Sequence, residues 1–216
     1  MNNRMRKTWI EYRAFLLFMT LMFVFRSACA DWNTVPTGSM KPTIVPGDRI
    51  WVNKMAYDIR VPFTHIALFE ISDPERGDIV IFDSEVSDIR LVKRVVGTPG
   101  DIVELRSNIL SVNGERLLYE VVSSTQGITH KLEDLLGVEH LVRVNNEGSA
   151  MSSFGPVKVP VDHYLVLGDN RDNSADSRVI GFVPRDEIVG RTKMVVMSFN
   201  YENFYIPRSD RFFHTL

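Results

Sequence analysis

From residue 50 onward helical periodicity is almost absent from the chain, while short runs alternate between apolar and polar residues. Successive side chains of a strand point to opposite faces. Such alternation reads as sheet, and the chain as mostly β with antiparallel pairing. The predicted strands are 50–53, 78–82, 102–105, 109–112, 164–167 and 194–197. Asn113-Gly114, directly after the fourth of these, is a type I′ hairpin signal, since both residues tolerate positive φ. Thr98-Pro99-Gly100-Asp101 reads as a type II turn with Pro99 and Gly100 at its centre. A helix is predicted after residue 50 only around 131–138, and it is short. Residues 106–160 are polar and turn-rich between two denser blocks. They read as a small inserted β subdomain, which leaves 31–105 and 161–216 as the main β domain. The aromatic tail (Phe199, Tyr201, Phe204, Tyr205, Phe212 and Phe213) reads as core or as a variable chain end, with contact to a bilayer surface as the alternative.

With 216 residues, 44% hydrophobic and 24% charged, there is material for one sizeable core or two small ones. A net charge of −2 leaves no basic footprint for nucleic acid. The single cysteine, Cys29, excludes an internal disulfide. His65, His130, His140, His163 and His214 are scattered without metal-ligand spacing, so neither a metal nor another cofactor is expected.

The amino terminus is the one strongly apolar region. Residues 1–13 carry Arg4, Arg6, Lys7 and Arg13 against Glu11 alone, an apolar run fills 14–25, and Arg26-Ser27-Ala28-Cys29-Ala30 follows. A basic flank stays in the cytoplasm, which places the rest of the chain outside. The charged start, short apolar region and Ala-x-Ala end fit a cleaved secretory signal. Extended to 14–30, with Arg26 snorkelling to the interface, the same run fits a short membrane anchor. The residues alone leave both open.

Three further segments carry candidate chemistry. Residues 36–48, Pro-Thr-Gly-Ser-Met-Lys-Pro-Thr-Ile-Val-Pro-Gly-Asp, are neither helix interior nor central strand, because prolines punctuate them. This stiff loop presents Ser39 between a glycine and a methionine; a proline-rich linker would look much the same. On the strand 89–96, Ile89, Leu91, Lys93 and Val95 share one face, and Arg90, Val92, Arg94 and Val96 the other. Lys93 thus keeps apolar company. A desolvated amine gives up its charge more readily, which is how a lysine becomes a general base; a lysine that snorkels to water is the plainer alternative. The third segment, Gly168-Asp-Asn-Arg-Asp-Asn-Ser-Ala-Asp-Ser-Arg178, is rich in residues that bond turns through their side chains. It is not a calcium loop: counted from Asp172, Ser177 and Val183 stand where glycine and glutamate are required. Asp176 and Arg178 are placed to pair, and Ser174 offers a hydroxyl to a neighbouring amine.

Taken in order, Pro36–Asp48, Arg76–Phe82, Lys93–Asp101 and Gly168–Pro184 resemble the type I (leader) signal peptidases, membrane-bound Ser/Lys proteases that remove signal peptides from exported proteins. The resemblance implies Ser39 as nucleophile and Lys93 as general base. It implies an oxyanion hole from the Ser39 N–H and the Thr37 hydroxyl, where many relatives carry serine. Ser174 matches a serine that orients the lysine amine, and Asp176 and Arg178 a structural pair. Val35, Met40, Ile44 and Leu91 match the lining of small apolar pockets, with Leu91 replacing a frequent aromatic. It implies an uncleaved transmembrane anchor at 14–30 behind a cytoplasmic basic segment at 1–13. The antiparallel β catalytic domain would then lie on the periplasmic side of a bacterial inner membrane, crossed once. The expected enzyme is a monomer that meets membrane lipid and exported preproteins, and cleaves after Ala-x-Ala. Two alternatives are a relative dedicated to one substrate, such as a pilin or conjugation component, and a non-catalytic envelope binding domain.

Overall fold

The computed structural model describes residues 3–64 and 66–216. The side chains of residues 3–11 and 28 lie outside that description, and with them Arg4, Arg6, Lys7 and all of His65. The first helix, α1 (Asn3–Ala28), leads directly into strand β1 (Ala30–Thr34). The predicted 14–30 segment therefore overruns the helix: Ala30 is already in the sheet, opposite Asn53, and is buried. Lys54 donates to the carbonyls of Arg26 and Ser27 at 3.2 and 3.1 Å, which satisfies backbone acceptors that a helix end leaves open. Among the described residues no helix is long and apolar enough to cross a membrane.

The body is mostly β. In chain order it comprises β2 (Asp48–Asn53), β3 (Asp58–Arg60), β4 (Ala67–Glu70), β5 (Ile79–Ser84), β6 (Ile89–Gly97), β7 (Ile102–Arg106), β8 (Ile109–Val112) and β9 (Glu115–Arg116). Then come β10 (Leu118–Thr125), β11 (Ile128–Asp134), β12 (Glu139–Asn145), β13 (Phe154–Lys158), β14 (His163–Leu167), the one-turn α2 (Ser177–Ile180) and β15 (Val183–Pro184). The chain closes with β16 (Ile188–Thr192), β17 (Met194–Asn200), β18 (Ile206–Pro207) and β19 (His214–Thr215). The largest sheet has ten strands, in the order β15-β14-β6-β5-β16-β2-β17-β18, with β1 on β2 and β19 on β17. Between β6 and β14 the chain builds two smaller sheets, β13-β7-β8-β9 and β10-β11-β12.

Alternation accounts for the core. Along β5, Ile79 and Ile81 enter one apolar cluster with Val35, Met40, Ile44 and Ile50, while Val80 and Phe82 enter another with Val95, Tyr164 and Val166. A strand buried on both faces belongs in the middle of a sheet, which is where β5 lies. The Asn113-Gly114 turn has φ of 53° and 84°, as type I′ demands, and Gly100 has the positive φ of a type II turn.

Two expectations fail. Residues 131–134 belong to strand β11, not a helix, because Thr129 and Glu133 face inward and give the buried side a polar pattern that resembles no sheet face. The tail aromatics do not form core either: Phe204 is 94% exposed, Phe213 69% and Tyr205 65%. Tyr201, Phe204, Tyr205, Phe212 and Phe213 lie in turns, and Phe199 is on the strand β17.

Candidate active site

The serine loop folds against the core rather than hanging as a linker. Met40 and Ile44 are buried, and the Ile44 N–H donates to the Met40 carbonyl at 2.9 Å, closing a turn. Its ends are tied by Val35 N–H to Asp48 O at 2.9 Å and Gly47 N–H to Val35 O at 3.0 Å. Arg211 grips Asp48 through both carboxylate oxygens, at 3.0 and 2.6 Å, and also donates to the Thr43 carbonyl. A hydroxyl carried on such a loop has little freedom.

Lys93 reaches that hydroxyl from the middle of β6. Its Nζ lies 2.9 Å from Ser39 Oγ and donates to the Val92 carbonyl at 3.1 Å. The side chain is 2% exposed, flanked by Leu91 and Val95 and opposite Val80. Burial pushes its amine down to about 8; Asp176 and Asp169 oppose the shift, and Arg178 assists it. At pH 7 about one amine in ten is then neutral, against fewer than about one in a thousand for a free lysine.

The Asp/Asn/Ser loop braces both partners. Buried Asp169 accepts Arg94 Nε and Nη2 at 2.9 and 2.8 Å and Thr43 Oγ1 at 2.5 Å, which joins β6 to the serine loop. Asp176 accepts Arg178 Nε and Nη2 at 2.8 and 2.6 Å, and the Gly168 N–H at 3.0 Å. Arg178 sits in the first turn of α2 rather than on an extended segment, with Asp176 as the cap. Gly168 is required by close approach: a Cβ there would overlap the Ser174 hydroxyl and lie 2.5 Å from the Ser39 carbonyl oxygen.

Residues of β1 and the first half of β6 line a cleft of about 420 Å3 that contains Thr37, Ser39 and Lys93. Val35, Met40 and Leu91 form part of its wall. Ile44 does not: it is fully buried in the core behind, because the turn at 40–44 aims it away from the cleft. Ser174 lies beside the site, with its hydroxyl buried against Gly168, but it makes no hydrogen bond to Lys93. His163 lines a different cleft with Asp58 and Arg60, so Asp162 and His163 make no triad with Ser39. Among the described residues, no group of three or more His, Cys, Asp or Glu could hold a metal ion.

Sequence reasoning missed Asp169, Asn170 and Arg94. Asn170 donates its backbone N–H to Ser39 O at 3.0 Å and its side-chain amide to Gly38 O at 2.9 Å. These partners are separated by well over a hundred residues of chain, and no local pattern signals such a contact.

The family model for "Signal peptidase, peptidase S26" matches residues 6–197. The chain is 37% identical over 206 residues to Signal peptidase I of Pseudomonas fluorescens, covering 88% of this chain and 72% of that protein. For Signal peptidase I of Pseudomonas aeruginosa the values are 38% over 207 residues, 88% and 72%. For Signal peptidase I T of Bacillus subtilis they are 35% over 195 residues, 89% and 88%.

Proposed function

The chain belongs to the signal peptidase family, peptidase S26, and from that premise we propose that it is a serine endopeptidase removing signal peptides from exported preproteins after small residues. The observation that carries the reading is the 2.9 Å approach of a buried lysine amine to a loop-held serine hydroxyl. Neutral Lys93 takes the Ser39 proton as Oγ attacks the scissile carbonyl, then delivers it to the leaving amine. The Ser39 N–H and the Thr37 hydroxyl receive the oxyanion. Water, deprotonated by the same amine, then releases the acyl group from Ser39. Asp169 holds the lysine strand and the serine loop in register, while Asp176 and Arg178 pair with each other and fix the Gly168 N–H; Ser174 packs beside Gly168.

The substrate enters as an extended strand. No described strand pairs with the outer edge of β1, and β14 joins β6 only from Arg94 onward, so the residues before Lys93 keep a free edge. Small side chains suit the shallow apolar wall of Val35, Met40 and Leu91, and bulky ones do not.

Binding to the bilayer runs through α1. Phe15, Leu17, Phe18, Leu21 and Phe23 are each more than half exposed, an arrangement expensive in water and favourable in lipid. Arg13 and the basic start face the cytoplasm, and the β body acts as a monomer on the outer side of a bacterial inner membrane. The catalytic unit comprises 31–105 and 161–216, with 106–160 as its insert.

The test is cleavage of a preprotein in detergent micelles, with product termini read by mass spectrometry. The parent is expected to cut after a small residue, and Ser39→Ala to lose at least about a thousandfold in rate. Cleavage retained by Ser39→Ala would overturn the reading.

A further inference from the structure

We propose that Asn170 is a positioning residue that holds the Ser39 N–H in its oxyanion-binding direction. The inference rests on the Ser39/Lys93 reading and adds to it a residue outside the dyad. Gly38 O and the Ser39 N–H belong to one planar trans peptide, so they point in opposite directions. Whatever fixes the oxygen therefore aims the N–H. Gly38 makes that fixing necessary, because glycine lets the adjoining peptide rotate at little steric cost. Two donors restrain its oxygen: the Lys41 N–H, closing a turn at 3.1 Å, and Asn170 Nδ2 at 2.9 Å. Asn170 also donates its own N–H to Ser39 O at 3.0 Å, so a single residue holds the peptide on each side of the nucleophile's Cα. A donor on the Gly38 carbonyl further polarises that peptide and strengthens its N–H.

Asn170 is itself held from behind. It bridges in parallel to Arg143 of β12, with Arg143 N–H on Asp169 O at 2.8 Å and Arg171 N–H on Arg143 O at 2.9 Å. Its neighbours are tied down by ion pairs, Asp169 to Arg94 and Arg171 to Glu133. Asn170 is 4% exposed, so water cannot readily replace its amide if the side chain is removed. The insert thereby acquires a part in the site: β12 is the backing against which the clamp is set.

The experiment measures kcat and KM on a peptide spanning a signal cleavage site, per active site titrated with a covalent serine inhibitor. Asn170→Ala keeps the backbone donor and removes the amide. Its kcat is expected to fall about tenfold or more, less than the loss of an oxyanion donor itself, with KM within about twofold. The alkaline-rising limb of its pH profile should stay where the parent has it, because Lys93 is untouched. Asn170→Asp keeps the shape and replaces the donor by an acceptor, so it should lose at least as much kcat, and it decides the matter if the alanine variant does not fold. A purely structural role would lower the titrated fraction and the Tm while leaving kcat per site unchanged, and that result overturns the proposal. A shifted pH limb in Asn170→Ala also counts against it. Cleavage that survives Ser39→Ala removes the underlying reading instead, and the inference with it.

Discussion

Replacing Lys93 by methionine is expected to abolish cleavage and to stabilise the fold at neutral pH. Both effects have one cause. The amine is 2% exposed, and burial brings it down from an ordinary value of 10.5 to about 8. Between those values the unfolded chain binds a proton that the native chain has released, so stability rises with pH across this window and is lowest below about 8. Keeping the ammonium buried at pH 7 costs about 3 kcal/mol, the free-energy equivalent of the shift. Methionine fills similar space without charge. For a chain of this size, removing that cost should raise Tm by about 5–10 °C at pH 7, and the gain should shrink as pH approaches 10. Thermal unfolding at pH 7 and pH 9.5 checks both statements. A Lys93→Met variant no more stable than the parent at pH 7 would show that the amine is not desolvated, and cleavage by that variant would remove it from the chemistry.

Glu133→Gln is expected to be the most damaging single change remote from the cleft. Glu133 is fully buried, and both its oxygens accept from Arg171, at 2.7 and 2.6 Å. Tyr119 donates to the same carboxylate, and His140 Nε2 lies 3.2 Å from it. Burial alone would raise the Glu133 carboxyl, but Arg171 and His140 overcome it and hold the group well below the usual carboxylate range. The pair therefore supports the fold above the ordinary carboxylate value, about 4.3, and that support fades as pH falls below it. Glutamine leaves Arg171, 1% exposed in its side chain, as an uncompensated buried charge, at a cost of about 3–5 kcal/mol. Urea unfolding should show a lower midpoint with an unchanged slope. An unfolding free energy within about 0.5 kcal/mol of the parent's would mean that the pair is dispensable.

Much of the fold was legible because its rules are local. A short unbroken apolar run marks β5, alternation sorts the two faces of β6, and Asn113-Gly114 and Pro99-Gly100 name their turns from backbone requirements that few other residues meet. The environment of Lys93 was legible for the same reason, since Leu91 and Val95 share its face by period alone. What no local rule reaches is contact across the sheet. The approach of Lys93 to Ser39 depends on where the serine loop returns against β6, and the clamp of Asn170 on Gly38 depends on β14 pairing with β6. The resemblance puts Ile44 in the pocket wall, and sequence does not reveal that the turn at 40–44 buries it in the core instead. The segment at 131–138 was misread because buried Glu133 interrupts the apolar pattern of β11, and its partner Arg171 lies in a distant loop.

The central claim is that a buried lysine, and no other group, activates Ser39. The pH dependence of kcat/KM on a signal-cleavage peptide tests it most directly, since that profile reports the free enzyme's essential base. The account predicts a rate that rises with pH through a limb near about 8. A limb near about 6.5 would assign the base to a histidine, and one near about 10.4 would mean an ordinary solvated lysine; either contradicts it.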